Sequence, residues 1–243
     1  MELEHSHDPA SISQRLEGSY RPSYVRDFVY GGIDGAITTF AIVAGVVGAA
    51  LSSNIILILG LANLLADGFS MAASNYSGTK AVTDNVERVR KIEARHILLN
   101  PEGEREEVKQ LLRRNGLNGL VLDEAVKSIT SDERRWINFM ITEEYGFALV
   151  NSSPFRAGLA TFSAFVICGA VPLLPFLFGM QNALAIAVAM TGIVFFLIGA
   201  AKSRWAIVSW WRSGLETFFI GTVAAGLAFS VGYALRSVWD VGL

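Results

Sequence analysis

The chain has 243 residues, of which 52% are hydrophobic and only 17% charged, and its mean hydropathy is +0.42. A soluble domain carries about 25% charged residues, so this balance points to an integral membrane protein. With 20 basic and 22 acidic residues the net charge is −2, which leaves no basic surplus for nucleic acid, and the single cysteine, Cys168, excludes an intramolecular disulfide and a CxxC metal site.

The first 24 residues are polar, without the apolar core of a secretory signal, and read as a soluble tail ending in an interfacial turn at Arg21-Pro22. His5 and His7 on that tail read as inert rather than as a metal pair. Five apolar segments follow: Phe28–Leu51, Ile55–Ala73, Leu159–Phe178, Leu184–Ala201 and Thr217–Ala234. Each is long enough for a spanning helix, whereas a barrel would show shorter alternating segments. The expected class is therefore an all-α membrane protein with five transmembrane helices. Pro172 and Pro175 predict a kink or break in the third of them. Gly31/Gly35, Gly45/Ala49 and Gly221/Ala225 are pairs of small residues that allow close helix contact.

Basic residues set the expected orientation. Arg15, Arg21 and Arg26 precede the first segment, and Lys202, Arg204 and Arg212 separate the fourth and fifth. The other two short links carry none, so the N-terminus is expected in the cytoplasm and the C-terminus on the opposite side. Arg236 is a single counter-vote.

A hydrophilic insertion, about 79–154, lies between segments two and three and is expected in the cytoplasm. Val82, Val86, Val89 and Ile92 recur at helical spacing, so segment two is expected to continue as one long helix. Asn100 with Pro101 marks the start of a second helix, through Val108, Leu111 and Leu112, with Gly116 as its stop. Leu120 to Ile129 makes a third. Thr130 and Glu133 form a capping-box pattern for a last helix closed by Gly146. The resulting division is a tail (1–24), two membrane helices (25–78), a helical insertion (79–154) and three membrane helices (155–243).

Asp34 is the anomaly in the first apolar run, because a carboxylate at bilayer depth costs at least ~2.5 kcal/mol on insertion scales and should face protein or water. Asp27, Gly31 and Asp34 share one helical face. On the next segment Asn63, Asp67, Ser70, Met71, Ser74 and Asn75 recur at similar spacing. Two oxygen-rich stripes of this kind suit an ion path; the alternative is that Asp67 and the amides bond neighbouring backbone and hold the bundle together. In the insertion Glu93/His96, Glu104/Glu107 and Met140/Glu144 each share a face of their own helix. They are either solvated faces or three faces converging on cations. Carboxylate, imidazole and thioether together lean toward borderline divalents such as ferrous iron or manganese. Glu102, Glu106 and Glu143 are further acids without a clear role, and Glu216 opens the fifth segment. No HExxH or GxSxG pattern is present, so no enzyme is expected.

The stretches FVYGGIDGAITTFAIVAGVVGA, GLANLLADGFSMAASNY and WINFMITEEYG resemble the vacuolar iron transporter family, bacterial-type members included, from about Val25 to the C-terminus. The resemblance implies five membrane helices, a cytoplasmic helical metal-binding domain between helices two and three, a homodimer with its ion path between protomers, and proton-coupled export of ferrous iron and related divalents from the cytosol. It places the family's membrane aspartates on Asp27 and Asp34 and its membrane methionine on Met71. Its two Glu-x-x-Glu pairs fall on Glu93/His96 and Glu104/Glu107, and its Met-Met-x-x-Glu on Met140, Ile141 and Glu144. Three positions depart. Asn63 stands where plant members carry a glutamate, with Asp67 one turn later; His96 replaces a carboxylate; and Ile141 replaces a methionine.

The expected function is a divalent transition-metal transporter, for ferrous iron and with manganese as second ion, moving metal out of the cytosol in exchange for protons. Metal and protons would be its small partners, the bilayer its environment, and the inner membrane its location if the source is bacterial, with no cofactor beyond the transported ion. A membrane-anchored metal sensor or storage protein without transport is the alternative.

Overall fold

The computed structural model describes residues 6–17, 22–149, 152–203 and 207–239. His5, Arg21 and Arg204, used in the sequence reading, lie outside the described residues. The described residues form helices only: α1 (Pro9–Glu17), α2 (Val25–Gly48), α3 (Ser53–Leu99), α4 (Pro101–Arg114), α5 (Gly119–Thr130), α6 (Glu133–Glu143), α7 (Pro154–Ala170), α8 (Leu174–Leu177), α9 (Ala183–Lys202) and α10 (Trp210–Trp239), with a 3-10 turn over Val171–Leu173. The chain divides into two units, Tyr24–Lys80 with Ser153–Leu243, and Met1–Ser23 with Ala81–Ser152.

The first unit is apolar. Among the described residues five helical stretches are long and apolar enough to cross a membrane, α2, α3, the α7–α8 stretch, α9 and α10. With this composition they make the protein an integral membrane protein. Its core gathers Ala36, Phe40 and Val43 of α2, Leu64 of α3, Phe165 and Cys168 of α7, and Phe195 of α9. Helices in lipid gain little from burying apolar surface and associate through close packing, so small residues decide where they meet. A Cβ at Gly31 would overlap the Thr161 carbonyl, and one at Gly35 the Phe165 carbonyl, so both glycines are spent on the α2–α7 contact. Gly45 faces α10, where a Cβ on Gly232 would overlap the Gly45 carbonyl, while Gly221 abuts the Phe195 ring. The small-residue pairs thus serve contacts within one chain. Leu65 and Phe69 of α3 and Phe219, Val223 and Leu227 of α10 stay exposed, as an apolar outer surface in a bilayer requires. Around the two prolines the α-helical pattern gives way after Ala170 to the 3-10 segment and resumes as α8, with the backbone right-handed helical throughout.

In the second unit α1 is a helix where only a tail was expected. Asp8 accepts from the Ser11 N–H at 3.0 Å and Pro9 occupies its first turn, a short N-terminal signal. Segment two does continue without a break, as α3 runs to Leu99. Val86 and Val89 are buried against Ile137 and Ile141, but Val82 is exposed. Asn100 caps α4 by accepting from the Gly103 N–H at 3.2 Å, and α4 ends before Gly116, whose φ is +92°. Val108, Leu112, Leu122, Trp136 and Met140 form a second buried cluster across α4, α5 and α6. One local expectation is corrected. Thr130 is the last residue of α5, and the cap of α6 is Asp132, which accepts from the Arg135 N–H at 2.8 Å. A carboxylate three residues before a free N–H competes better for that position than the earlier threonine.

Candidate functional site

In the helical unit the acids of three helices come together. Glu93 on α3 is 1% exposed and Glu104 on α4 is 5% exposed, depths at which an unpaired carboxylate is costly. Each has one polar neighbour: Tyr145 donates its hydroxyl to Glu93 Oε1 at 3.0 Å, and His96 Nδ1 lies 3.4 Å from Glu104 Oε1. The second oxygen of each, Glu93 Oε2 and Glu104 Oε2, is buried without a hydrogen-bond partner. Glu107 and Glu144 stand more exposed at the same cluster and repel Glu104.

Burial pushes Glu104 up to about 7, with Glu107, Glu93 and Glu144 adding repulsion and a side-chain hydrogen bond from the protonated Glu104 to Glu93 raising it further. Partial loss of hydration, then the charges of Glu93 and Glu107, pushes Glu144 up to about 7 as well. Burial and the bond to Glu93 raise the Tyr145 phenol, keeping it a neutral donor. Four acids gathered so that the charge of Glu104 and Glu144 is disfavoured, two of the four with a buried oxygen lacking a donor, form a locus that a cation would relieve. Among the described residues no group of three or more His, Cys, Asp or Glu side chains is placed, as it stands, to hold a metal ion. Met140, one turn before Glu144, is 0% exposed and packs in the apolar cluster with Val108 and Trp136. Ile141, where the family pattern has a second methionine, is likewise buried in the core beside Val86 and Val89.

In the membrane unit the predicted stripe separates into two places. Near the start of α2, Asn75 of α3 donates to Asp27 Oδ1 at 2.9 Å, to Thr161 Oγ1 at 2.7 Å and to the Ala157 carbonyl at 3.3 Å. Thr161 is buried and donates to the Ala157 carbonyl at 3.1 Å. Asp27 is therefore a tied carboxylate at the α2–α3–α7 junction. Further along, Asn63 donates to Thr38 Oγ1 at 3.3 Å, and Thr38 donates to the Asp34 carbonyl at 2.9 Å. Asp34 and Asp67 are half-buried and within electrostatic reach of each other. Met71 packs against the apolar core one turn beyond Asp67, whereas Ser70 and Ser74 point outward and are exposed. Glu216 lies 3.7 Å from Lys202 as a surface ion pair.

A family model described as the VIT family matches residues 25–233. The chain belongs to the VIT family. It is 33% identical over 239 residues to vacuolar iron transporter 1 of Eucalyptus grandis, covering 94% of this chain and 95% of that protein. It is 33% identical to vacuolar iron transporter 1 of Arabidopsis thaliana, over 87% of this chain and 86% of that one. The vacuolar iron transporter of Toxoplasma gondii is 31% identical, over 90% of this chain and 77% of its own. These VIT relatives are named as transporters rather than enzymes, and the family model's match begins at Val25, where the resemblance in sequence begins.

Two residues of these contacts are not legible in the sequence. A tyrosine after two glutamates carries no ligand signal, and only the fold returns Tyr145 to Glu93. Thr161 sits in an otherwise apolar run, and its polarity at helical spacing from Ala157 was the available clue.

Proposed function

We propose that this VIT-family protein transports divalent transition metal, ferrous iron first and manganese second, out of the cytosol in exchange for protons. The observation that carries the reading is the pair of buried, partnerless oxygens on Glu93 and Glu104 inside a cluster of four acids. Metal would be received there by Glu93, His96, Glu104, Glu107 and Glu144, with Met140 supplying a thioether, and the 79–154 insertion would be cytoplasmic. A membrane site of Asp34, Asp67 and Met71, with Asn63 as a neutral donor, would pass it on, and Asp27 would guard the cytoplasmic mouth. Carboxylates suit exchange because metal displaces their protons and reprotonation from the far side releases the metal. The relatives' names support iron as cargo. A homodimer with N-terminus inside and C-terminus on the opposite side, in the inner membrane if the source is bacterial, completes the proposal.

The test is ferrous iron uptake into proteoliposomes under an imposed pH gradient. Flux that requires the gradient and falls at least tenfold in Asp34→Asn is the expected result. Unchanged flux in Asp34→Asn would remove the membrane site, and absence of flux with retained metal binding would leave a sensor or store.

A further inference from the structure

A carboxylate offers lone pairs on both oxygens, and a buried one is normally satisfied on both. Glu93 departs from this in an ordered way. Its Oε1 accepts the Tyr145 hydroxyl at 3.0 Å, while Oε2 is buried with no partner. The chain builds that contact deliberately. After α6 ends at Glu143, the Tyr145 N–H bonds the Met140 carbonyl at 3.4 Å, Gly146 turns at φ +69°, and the Phe147 N–H bonds the Ile141 carbonyl at 3.0 Å. This is a left-handed helix termination, and it fixes where the residue before the glycine points. Phe147 then stacks on the Tyr145 ring, centroids 6.2 Å apart and planes 16° apart, so the phenol is held from behind.

We infer that Tyr145 is a positioning residue of the proposed cation-receiving site: its hydroxyl occupies one oxygen of Glu93 and so presents the other, in a fixed orientation, to the ion. The inference rests on the metal reading above and adds the group that orients the most buried acid of that site. A hydrogen-bonded carboxylate loses rotational freedom before the ion arrives, and the ion meets one lone-pair direction instead of two. Residues that orient metal ligands in this way typically change metal affinity by about 10–100-fold when removed.

The experiment titrates full-length protein in detergent with Mn2+, reading free ion by its electron paramagnetic resonance signal, for wild type, Tyr145→Phe and Glu93→Gln. Near-ultraviolet difference spectra are recorded on the same samples, and metal-free melting is measured for each. The expected result is affinity about tenfold weaker in Tyr145→Phe, with a tyrosine difference band on metal binding that wild type shows and Tyr145→Phe lacks. A residue that only fastens α6 would shift the metal-free melt and leave affinity and band unchanged, which overturns the inference. Should Tyr145→Phe fold poorly, the wild-type band decides alone, and its absence also overturns it. Mn2+ binding lost in Glu93→Gln but unaltered in Tyr145→Phe sinks this inference and spares the site. No Mn2+ binding by wild type sinks both.

Discussion

Asn75 Nδ2 donates to Asp27 Oδ1 across 2.9 Å, joining α3 to α2 through a residue that the sequence would equally have allowed to line a path. The same amide reaches Thr161 and the Ala157 carbonyl on α7, so one side chain serves three helices. Replacing it by alanine leaves a half-buried carboxylate and a buried hydroxyl short of a donor. Asn75→Ala is expected to lower stability by about 1–2 kcal/mol, read as a lower melting temperature in detergent. Asn75→Asp sets a like charge beside Asp27 and should melt lower still at neutral pH, recovering in acid. A melt unchanged in both variants would show that the junction holds without the amide.

The acid cluster makes stability depend on pH in a defined direction. Glu104 and Glu144 are raised to about 7 from an ordinary 4.5, so the folded protein keeps protons that the unfolded chain has released. Their contribution is most favourable below about 4.5 and is lost as pH rises through about 7. Metal-free wild type should therefore lose melting temperature over that window relative to Glu104→Gln. Mn2+ should restore it at neutral pH, with protons released on binding, which a pH electrode in weak buffer records. A wild type and Glu104→Gln pair with parallel pH profiles would contradict the cluster.

Gly31 has no room for a side chain, since a Cβ there overlaps the Thr161 carbonyl, whereas Gly78 has open space around it. Gly31→Ala must push α2 from α7 and should cost about 1–3 kcal/mol or more, seen as poor recovery of monodisperse protein in detergent. Gly78→Ala should be neutral or slightly stabilising because its helix gains propensity. Equal behaviour of the two would mean that the α2–α7 contact is looser than described.

The start of α6 can be decided by a pair of alanine substitutions. Asp132→Ala removes the bond to the Arg135 N–H and should cost about 1 kcal/mol, while Thr130→Ala, at the end of α5, should lie within about 0.5 kcal/mol of wild type. Thermal melts of the two variants separate the cases, and a larger loss in Thr130→Ala would restore the capping box.

The sequence by itself determined the membrane class, the five spans and most helix limits of the insertion. These are set by local quantities: apolar length, proline and glycine placement, and the Asn100-Pro101 start. It also named Glu93, Glu104 and Glu144, because spacing along a helix shows which residues share a face. Tertiary structure alone decided which of those faces meet, and what each side chain does there. Asn75 and Asp67 looked alike in one stripe, yet one is consumed in a three-helix junction and the other stands by Asp34. Met140 of α6 and Glu144, just past its end, are one turn apart, yet the thioether is packed among apolar side chains and the carboxylate stands exposed. Tyr145 acquired a role only when a left-handed turn at Gly146 brought it back to Glu93. Such pairings join residues dozens of positions apart, and no periodicity within one helix carries information about its neighbour. Asp34, the anomaly of the first apolar run, has Asp67 as its neighbour in charge, while Asp27 is engaged by Asn75.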